Sequence, residues 1–391
     1  MSRYFEKALR SDEKSLLWFC SIIGLELSEK YALLLRYDSV DEIFADSLKA
    51  KLPDEINQRV REISEQSARN FSEDRIRNEL WKLNAEFISV KSEQYPERFK
   101  VLEKPPLGFF LIGSLPDENI PSIAVVGARA CSDYGLNICK TFTKELTEGG
   151  VCIISGMAHG IDGASHKACM EAGGKTIAIL GNGIGTIYPV ENKEIYDRVP
   201  EKGGIISEYY VGCKGLKNHF PERNRLIAGL SDGLLVIEAR KKSGTMITVN
   251  HTLEQGKDVF VIPGRLSDPL SEGCLELIKK GAQLVTEVND IAFALKDKYP
   301  DFVIYHKDKD SQYSFLCPDK NNEKKAKNPG LTTEEKRILS FIGYKPIYFD
   351  ELVMRSGMDY FTVVETVDSL KNKGFIKDSE GSGLCIASEK K

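Results

Sequence analysis

Four short stretches of this chain carry residue types that hold anions. The first is Gly127-Ala128-Arg129-Ala130-Cys131-Ser132-Asp133-Tyr134-Gly135. Gly127 lets backbone come close to a ligand, and Arg129 offers a charged fork to a phosphate. Amides from about Ser132 onward open a helix, have no intrahelical partner and favour an anion. The second stretch is Ser155-Gly156-Met157-Ala158-His159-Gly160-Ile161-Asp162-Gly163-Ala164. Ser155, Gly156 and Gly160 are small, as close approach of backbone to a phosphate requires. Asp162 either caps the following helix or bonds a sugar hydroxyl or a base. His159 reads as exposed, with no evident partner and no catalytic role. The third stretch, Phe220 to Ala228, sets Arg223 and Arg225 around Asn224 before a short helix. The fourth, Glu238 to Thr245, runs Arg240, Lys241 and Lys242 into the helix start Ser243-Gly244-Thr245. Hydroxyls, free amides and the helix dipole all favour an anion there. Gly181-Asn182-Gly183-Ile184-Gly185-Thr186 is either a fifth contributor or a flexible connection.

This chemistry is binding rather than bond cleavage. The dinucleotide fingerprint needs Gly-x-Gly-x-x-Gly, and here its third and sixth positions are Arg129 and Ser132. A nicotinamide oxidoreductase is thereby disfavoured, and no cofactor is expected. Nucleotide phosphoribohydrolases carry Gly-Gly-x-Gly-Thr-x-x-Glu, whose glutamate acts on the glycosidic bond. Here the third residue after Thr245 is Thr248, which has no acid–base range near neutrality. A nucleotide-binding enzyme of that kind is the alternative reading, with release of free base as its mark.

A parallel sheet is the frame that brings such loops to one edge. Apolar runs at Ile123–Gly127, Val151–Gly156, Thr176–Gly181, Gly204–Glu208, Gly233–Glu238, Asp258–Pro263 and Gln283–Val285 read as strands. Helical stretches lie between most of them: Gly135–Glu148, Asp162–Ala172, Lys193–Val199, Arg223–Gly229, Thr245–Glu254 and Glu272–Lys280. The alternation predicts an α/β fold, a Rossmann-like parallel sheet core covered on both faces. Residues 86–119 precede it with Phe87-Ile88-Ser89-Val90 and Gly108-Phe109-Phe110-Leu111-Ile112, which add a strand or two. In such sheets ligands bind beyond the carboxyl ends of the strands, where all four stretches fall.

The flanks differ in pattern. Residues 1–85 predict a small helical domain, SAM- or helix-hairpin-helix-like, with Gly24 between two apolar runs. A single glycine in the Ile23-Gly24-Leu25 turn favours a docking bundle over a phosphate-holding hairpin. Residues 86–300 are the Rossmann-like domain, and 301–330 a flexible linker poor in apolar residues. Residues 331–391 read as a winged helix-turn-helix: helices from Thr332 or Thr333 to Ile342, Phe349–Ser356 and Phe361–Lys373, then a hairpin around Glu380-Gly381-Ser382-Gly383. Its recognition helix, Tyr360–Lys373, holds Glu365 and Asp368 beside Lys371 and Lys373. That is a poor match for duplex phosphates, so a protein contact is at least as good a reading.

The whole chain of 391 residues carries a net charge of −4, so an anion site must be a local concentration of cations. No apolar run nears the ~20 residues of a membrane helix, and the charged Met1–Arg10 lacks a secretion signal. A cytoplasmic protein with no membrane partner is expected. Nine scattered cysteines form no Cys-x-x-Cys pair and read as buried reduced thiols, with no metal site.

Taken in order, Gly-Ala-Arg-x-x-Ser-x-Tyr-Gly, Ser-Gly-x-Ala-x-Gly-Ile-Asp, Phe-Pro-x-Arg-Asn-Arg-x-Ile-Ala and Ser-Gly-Thr resemble the DNA-processing protein A (DprA, also called Smf) family. The resemblance continues through Val259-Phe260-Val261-Ile262-Pro263-Gly264 and Leu277-Ile278-Lys279-Lys280-Gly281-Ala282. It covers residues 86–290, and more weakly the helical N-terminal and winged-helix C-terminal domains. It implies a single-stranded DNA binder and recombination mediator. Such proteins protect incoming DNA during natural transformation, load the RecA recombinase onto it, act as homodimers and are not known for catalysis. It places Gly127, Arg129, Ser132, Arg223, Asn224, Arg225, Lys242, Ser243, Gly244 and Thr245 in the DNA pocket. To these the loop reading adds Ala128, Gly135, Ser155, Gly156, Gly160 and Lys241. The chain departs from the family at Leu275, where an asparagine is usual, and along Val249-Asn250-His251-Thr252-Leu253-Glu254, where Ala-x-x-Ala-x-Glu is common.

Overall fold

Short apolar runs separated by amphipathic stretches build the sheet. The computed structural model describes residues 2–299, 332–339, 341–342, 347–373, 375–379 and 383–386. The chain divides into two compact units, Met1–Ser311 and Gln312–Lys391. The linker expected over 301–330 lies outside the described residues.

In the first unit nine strands form one sheet among the described residues. They are β1 (Ala85–Ser89), β2 (Gly108–Gly113), β3 (Ser122–Val126), β4 (Cys152–Ser155), β5 (Thr176–Ile179), β6 (Gly204–Ser207), β7 (Gly233–Val236), β8 (Asp258–Val261) and β9 (Gln283–Leu284). Their order is β1-β2-β6-β5-β4-β3-β7-β8-β9. The strands from β3 onward run parallel, while β1 and β2 add an antiparallel edge beside β6.

Every residue of β3 is buried, as a strand covered on both faces requires. Alternate residues feed two cores. Ala124, Val126, Ile154, Leu234 and Val236 face one layer, and Ile123, Val125, Ile153 and Leu235 the other. The first layer holds five N-terminal helices, α1 (Arg3–Leu9), α2 (Glu13–Ser21), α3 (Leu27–Arg36), α4 (Val40–Leu48) and α5 (Gln58–Arg69), while α6 (Glu73–Lys82) packs Ile76 and Leu80 into a further cluster with Leu17, Phe110, Ala178 and Ile205. Trp18, Phe19 and Leu34 of these helices are buried in the same core as the sheet. Further along come α7 (Glu97–Lys100), α8 (Asp133–Glu148), α9 (Ile161–Glu171), α10 (Lys193–Arg198), α11 (His219–Leu230), α12 (Thr245–Glu254), α13 (Glu272–Lys279) and α14 (Val288–Leu295). Apolar faces of α11, α12 and α13 join the first layer, and those of α8, α9 and α14 the second. No helix among the described residues is long and apolar enough to cross a membrane.

The second unit runs α15 (Thr333–Leu339), β10 (Ile347–Tyr348), α16 (Phe349–Ser356), α17 (Tyr360–Asn372), β11 (Ile376–Ser379) and β12 (Gly383–Ile386). Its strands pair antiparallel in the order β10-β12-β11. Gly357, at φ 62°, ends α16 in the left-handed conformation that glycine adopts without strain. Buried Glu335 accepts from Ser369 Oγ at 2.5 Å and Lys373 Nζ at 2.7 Å, tying α15 to α17. The strand β10 carries no clear signal in the sequence, being two residues long.

One charged cluster fastens the amino ends of β3 and β7. The Asp232 carboxylate, 3% exposed, accepts from Ser122 N at 2.8 Å and Tyr299 Oη at 3.0 Å, and pairs with Arg98 at 3.3 Å and Lys298 at 2.5 Å. Burial pushes this carboxyl up, but Arg98, Lys298 and the Ser122 amide outweigh it and hold it below the usual range. Removing one partner of a buried pair strands the other charge. Asp232→Ala is expected to cost about 3–5 kcal/mol, read as a lower urea midpoint with unchanged slope. The folded-state pKa lies below the unfolded value of about 3.9, so the cost is full above that pH and fades as acid titrates the native carboxylate. A deficit that persists undiminished in acid would contradict this account.

Candidate nucleic-acid interface

The strand order reverses between β3 and β7. From β3 the chain winds through β4, β5 and β6 on one side, then returns to pair β7 on the other. The loops leaving β3 and β7 diverge there, as at the ligand crevice of open α/β sheets. Between them opens a cleft of about 710 Å³. Of the residues expected from the sequence it brings together Gly127, Ala128, Arg129, Arg223, Asn224, Ser243, Gly244 and Thr245, with Arg240 beside them. Thr245 Oγ1 donates to the Gly127 carbonyl at 3.2 Å and links the two loops.

The two helices that start at these loops differ in what they hold. Ser132 caps α8, its Oγ accepting from Gly135 N at 3.1 Å. Ser132 N and Oγ in turn donate to the Glu238 carboxylate at 2.9 and 2.5 Å. A Cβ on Gly135 would lie 2.4 Å from Glu238 Oε2, so glycine is what admits that carboxylate. The anion at this helix start is the protein's own Glu238, 2% exposed. Ser132 and Gly135 are therefore corrected from phosphate ligands to holders of Glu238. By contrast α12 begins at Gly244 with no side-chain cap. Its second and third amides, Met246 N and Ile247 N, turn back to the Ser243 and Gly244 carbonyls at 3.1 and 3.2 Å, and buried Ser243 Oγ has no hydrogen-bond partner among the described residues.

The second loop is structural support. Ser155 Oγ donates to the Val125 carbonyl at 2.7 Å and is fully buried. Gly160, at φ 73°, lies where a Cβ would stand 2.3 Å from the Ala128 carbonyl oxygen. Ile161 N donates to that same oxygen at 3.3 Å, so this loop underlies the first. Asp162 does not cap α9. Its carboxylate accepts from Gly156 N at 3.2 Å and Ala158 N at 3.4 Å. Burial raises the Asp162 carboxyl, against the pull of Arg223 and these amides. Ser155, Gly156 and Gly160 thus shape the floor and are corrected as ligands. His159, read as unpartnered, stands 3.7 Å from Glu191.

The helix expected from Arg223 starts one turn earlier and takes in the whole third stretch. The helix α11 begins at His219, with Pro221 in the first turn, where a missing amide hydrogen costs nothing. Two residues apart, Arg223 and Arg225 point about 200° apart around the axis. Arg223 reaches under the cleft and donates to the Gly156 carbonyl at 2.8 Å and to the Ile179 carbonyl. A Cβ on Gly156 would meet its Nη2 at 2.6 Å. Burial draws the Arg223 guanidinium down to about 10, with Asp162 opposing the shift. Arg225 faces away and pairs with Glu208 at 2.5 Å, both side chains 10% exposed. It is corrected as a phosphate ligand, since its charge is neutralised inside the protein. Among the fourth-loop cations, Lys241 pairs with Glu276 at 3.2 Å, and Lys242 is exposed outside the cleft lining.

Sequence reasoning left the aromatic wall unassigned. Phe220 and Tyr188 line the cleft with ring centroids 5.4 Å apart, and the Arg129 guanidinium stands 5.9 Å from the Phe220 centroid. Gly181 admits Phe220, since a Cβ there would lie 2.7 Å from its ring. The 181–186 loop is thus a support and not a slack connection; buried Asn182 braces it through a 2.6 Å bond to the Thr186 carbonyl. Phe220 stands in the first turn of α11, ahead of its two arginines, which is the local signal for it; Tyr188 has none. Lys217 also lines the cleft, and Thr248 occupies the position of the phosphoribohydrolase glutamate. Leu275 lies in α13 and is not part of the lining. No cluster of three or more His, Cys, Asp or Glu among the described residues is arranged to hold a metal.

The two arginines of the cleft should separate by stability. Arg223→Ala leaves buried Asp162 and two carbonyls uncompensated and should cost about 3–5 kcal/mol in urea unfolding. Arg129→Ala, at an exposed site, should stay within about 0.5 kcal/mol of the parent. Equal losses in both would contradict the division between supporting and exposed cations.

Comparison with known proteins identifies the family of the chain. The profile of the family described as DNA recombination-mediator protein A matches residues 86–296. DNA processing protein DprA of Streptococcus pneumoniae is 43% identical over 204 residues, 52% of this chain and 72% of that protein. Protein Smf of Escherichia coli is 36% identical over 294 residues, 75% of each chain. The X-ray structure of DprA from Streptococcus pneumoniae is similar with a TM-score of 0.61 at 33% identity, covering 72% of this chain and 97% of that one. The chain belongs to the DNA recombination-mediator protein A family, to which proteins named DprA and Smf belong.

Proposed function

We propose that the cleft holds single-stranded DNA without cutting it, and that the protein delivers such strands to the RecA recombinase. One observation carries this reading: cations and two aromatic rings, exposed Tyr188 and half-buried Phe220, share a single cleft. A duplex keeps its base faces stacked inside, whereas an unpaired strand offers phosphates and base faces together. Phosphates are assigned to Gly127–Arg129 and to the uncapped start of α12 at Ser243–Thr245, with Asn224 and Arg240 beside them. Bases stack on Phe220 and Tyr188. Lys217 and Lys242, both exposed, extend the positive rim along the strand's path. Thr248 supports binding without glycosidic cleavage, because a threonine hydroxyl does no acid–base work near neutrality.

The same reading makes the protein a cytoplasmic homodimer that protects incoming strands during natural transformation. The second unit is read as a winged helix that meets protein rather than duplex DNA. Exposed Glu365 and Asp368 on α17, with exposed Tyr360 and Phe361, support that choice.

Fluorescence anisotropy with oligo(dT) across salt tests the cleft. Single strands should bind more tightly than duplex, with little sequence dependence and a log–log slope near −0.7 per phosphate neutralised. Arg129→Ala should weaken binding about tenfold and remove about one such increment. Phe220→Ala should cost about 1–3 kcal/mol at an unchanged slope. Lys242→Ala, outside the lining, should change less than either. If neither Arg129→Ala nor Phe220→Ala alters affinity, the assignment fails. Delivery is tested by RecA filament nucleation on strands coated with single-strand-binding protein; no acceleration on adding this protein would remove that part of the proposal.

A further inference from the structure

A second cavity, of about 380 Å³, lies between the N-terminal helices and the loop that follows β6. That volume falls within the range of about 300–1,000 Å³ typical of small-molecule sites. Its wall is largely apolar, with Phe19, Ile22, Leu25, Leu27, Leu107 and Leu216 contributing. One cation is set into this wall. Lys30 Nζ lies 3.4 Å from the Cys20 carbonyl oxygen and 6.0 Å from the Phe19 ring centroid.

The other charged groups of the wall are engaged or in solvent. Glu208 is held by Arg225 at 2.5 Å. Arg59 is held by Glu29 at 2.6 Å and by the Gly24 carbonyl at 2.5 Å. Glu26 belongs to the capping box of α3, and Lys214 is exposed. Lys30 has three N–H donors, one long bond to a carbonyl, and no ion pair among the described residues. An ammonium in apolar surroundings is stabilised by an anion beside it. Burial holds the Lys30 amine below the usual lysine range, which an arriving anion would reverse.

We propose that this cavity is a binding site for a small apolar anion, with Lys30 taking the charged end and the apolar wall its body. Nothing in the cleft reading requires this site, and it stands or falls separately. The two cavities do share a wall. Cys213, Leu216 and His219 line the apolar cavity, whereas Gly215, Lys217 and Phe220 line the cleft. A test must therefore distinguish them.

The probe is 8-anilinonaphthalene-1-sulfonate, titrated against the full chain by its fluorescence, with decanoate as competitor. Expected is saturable one-to-one binding, displaced by decanoate. Lys30→Met and Lys30→Gln, measured side by side so that a folding defect in one does not decide, should each weaken it about tenfold or more, the worth of one charge-assisted hydrogen bond. Leu27→Trp, which fills the cavity from its half-buried rim, should abolish it. Arg129→Ala should leave it unchanged. Non-saturable binding, full affinity in both Lys30 variants, or loss of binding in Arg129→Ala overturns the proposal.

Discussion

A buried guanidinium governs the architecture of the cleft. Arg223 lies under the crossover point of the sheet and joins α11 to the carboxyl ends of β4 and β5 through the Gly156 and Ile179 carbonyls. A charge at 4% exposure is tolerable only if its surroundings compensate it. That requirement reaches outward. It calls for a carboxylate at Asp162, for two amides to hold that carboxylate, and for a residue without a Cβ at Gly156. The loops that face the ligand rest on this floor. Its rigidity lets an exposed arginine such as Arg129 act from a fixed base, which lowers the entropic cost of holding a strand.

The second organising feature is how the fold disposes of two helix starts. Both α8 and α12 bring their amino ends to the crossover point, and the dipole of each would attract an anion. The structure fills one internally with Glu238 and leaves the other without a side-chain cap. Glu238 therefore does two jobs. It fixes the turn from Gly127 to Ser132, and it satisfies the start of α8 from inside the protein, away from the cleft lining that Arg129 and Arg240 share. A net charge of −4 is compatible with a polyanion ligand because the cations are local while the acidic groups are spread elsewhere.

The N-terminal helices are more than an appendage, since Trp18, Phe19 and Leu34 complete the apolar layer under β2 and β6. The segment from Tyr209 to Phe220 runs between that layer and the cleft. Tyr209 stacks on His219 with centroids 3.9 Å apart and 13° between planes, so the first turn of α11 is packed on one side and faces the ligand on the other. The aromatic wall of the cleft thus depends on packing that begins in the helical layer.

Much of the frame was legible from local pattern. Seven of the parallel strands lie inside the apolar runs to within a residue or two, and α12 begins and ends where its amphipathic stretch does. This is so because burial on both faces and helical periodicity leave their mark within a few neighbouring residues. The sequence by itself also determined that glycine-rich and cationic loops follow those strands. It did not determine which cations remain for a ligand. Arg223 and Arg225 are alike in a linear reading, yet Glu208, 17 residues away, neutralises one of them on the far face of α11. Ser132 and Gly135 resemble an anion site until Glu238, 106 residues away, occupies it. Tyr188 meets Phe220 only because the sheet brings their loops together. Whether a polar group serves a ligand or the fold depends on what else reaches it, and that is settled by long-range packing rather than by neighbours in the chain.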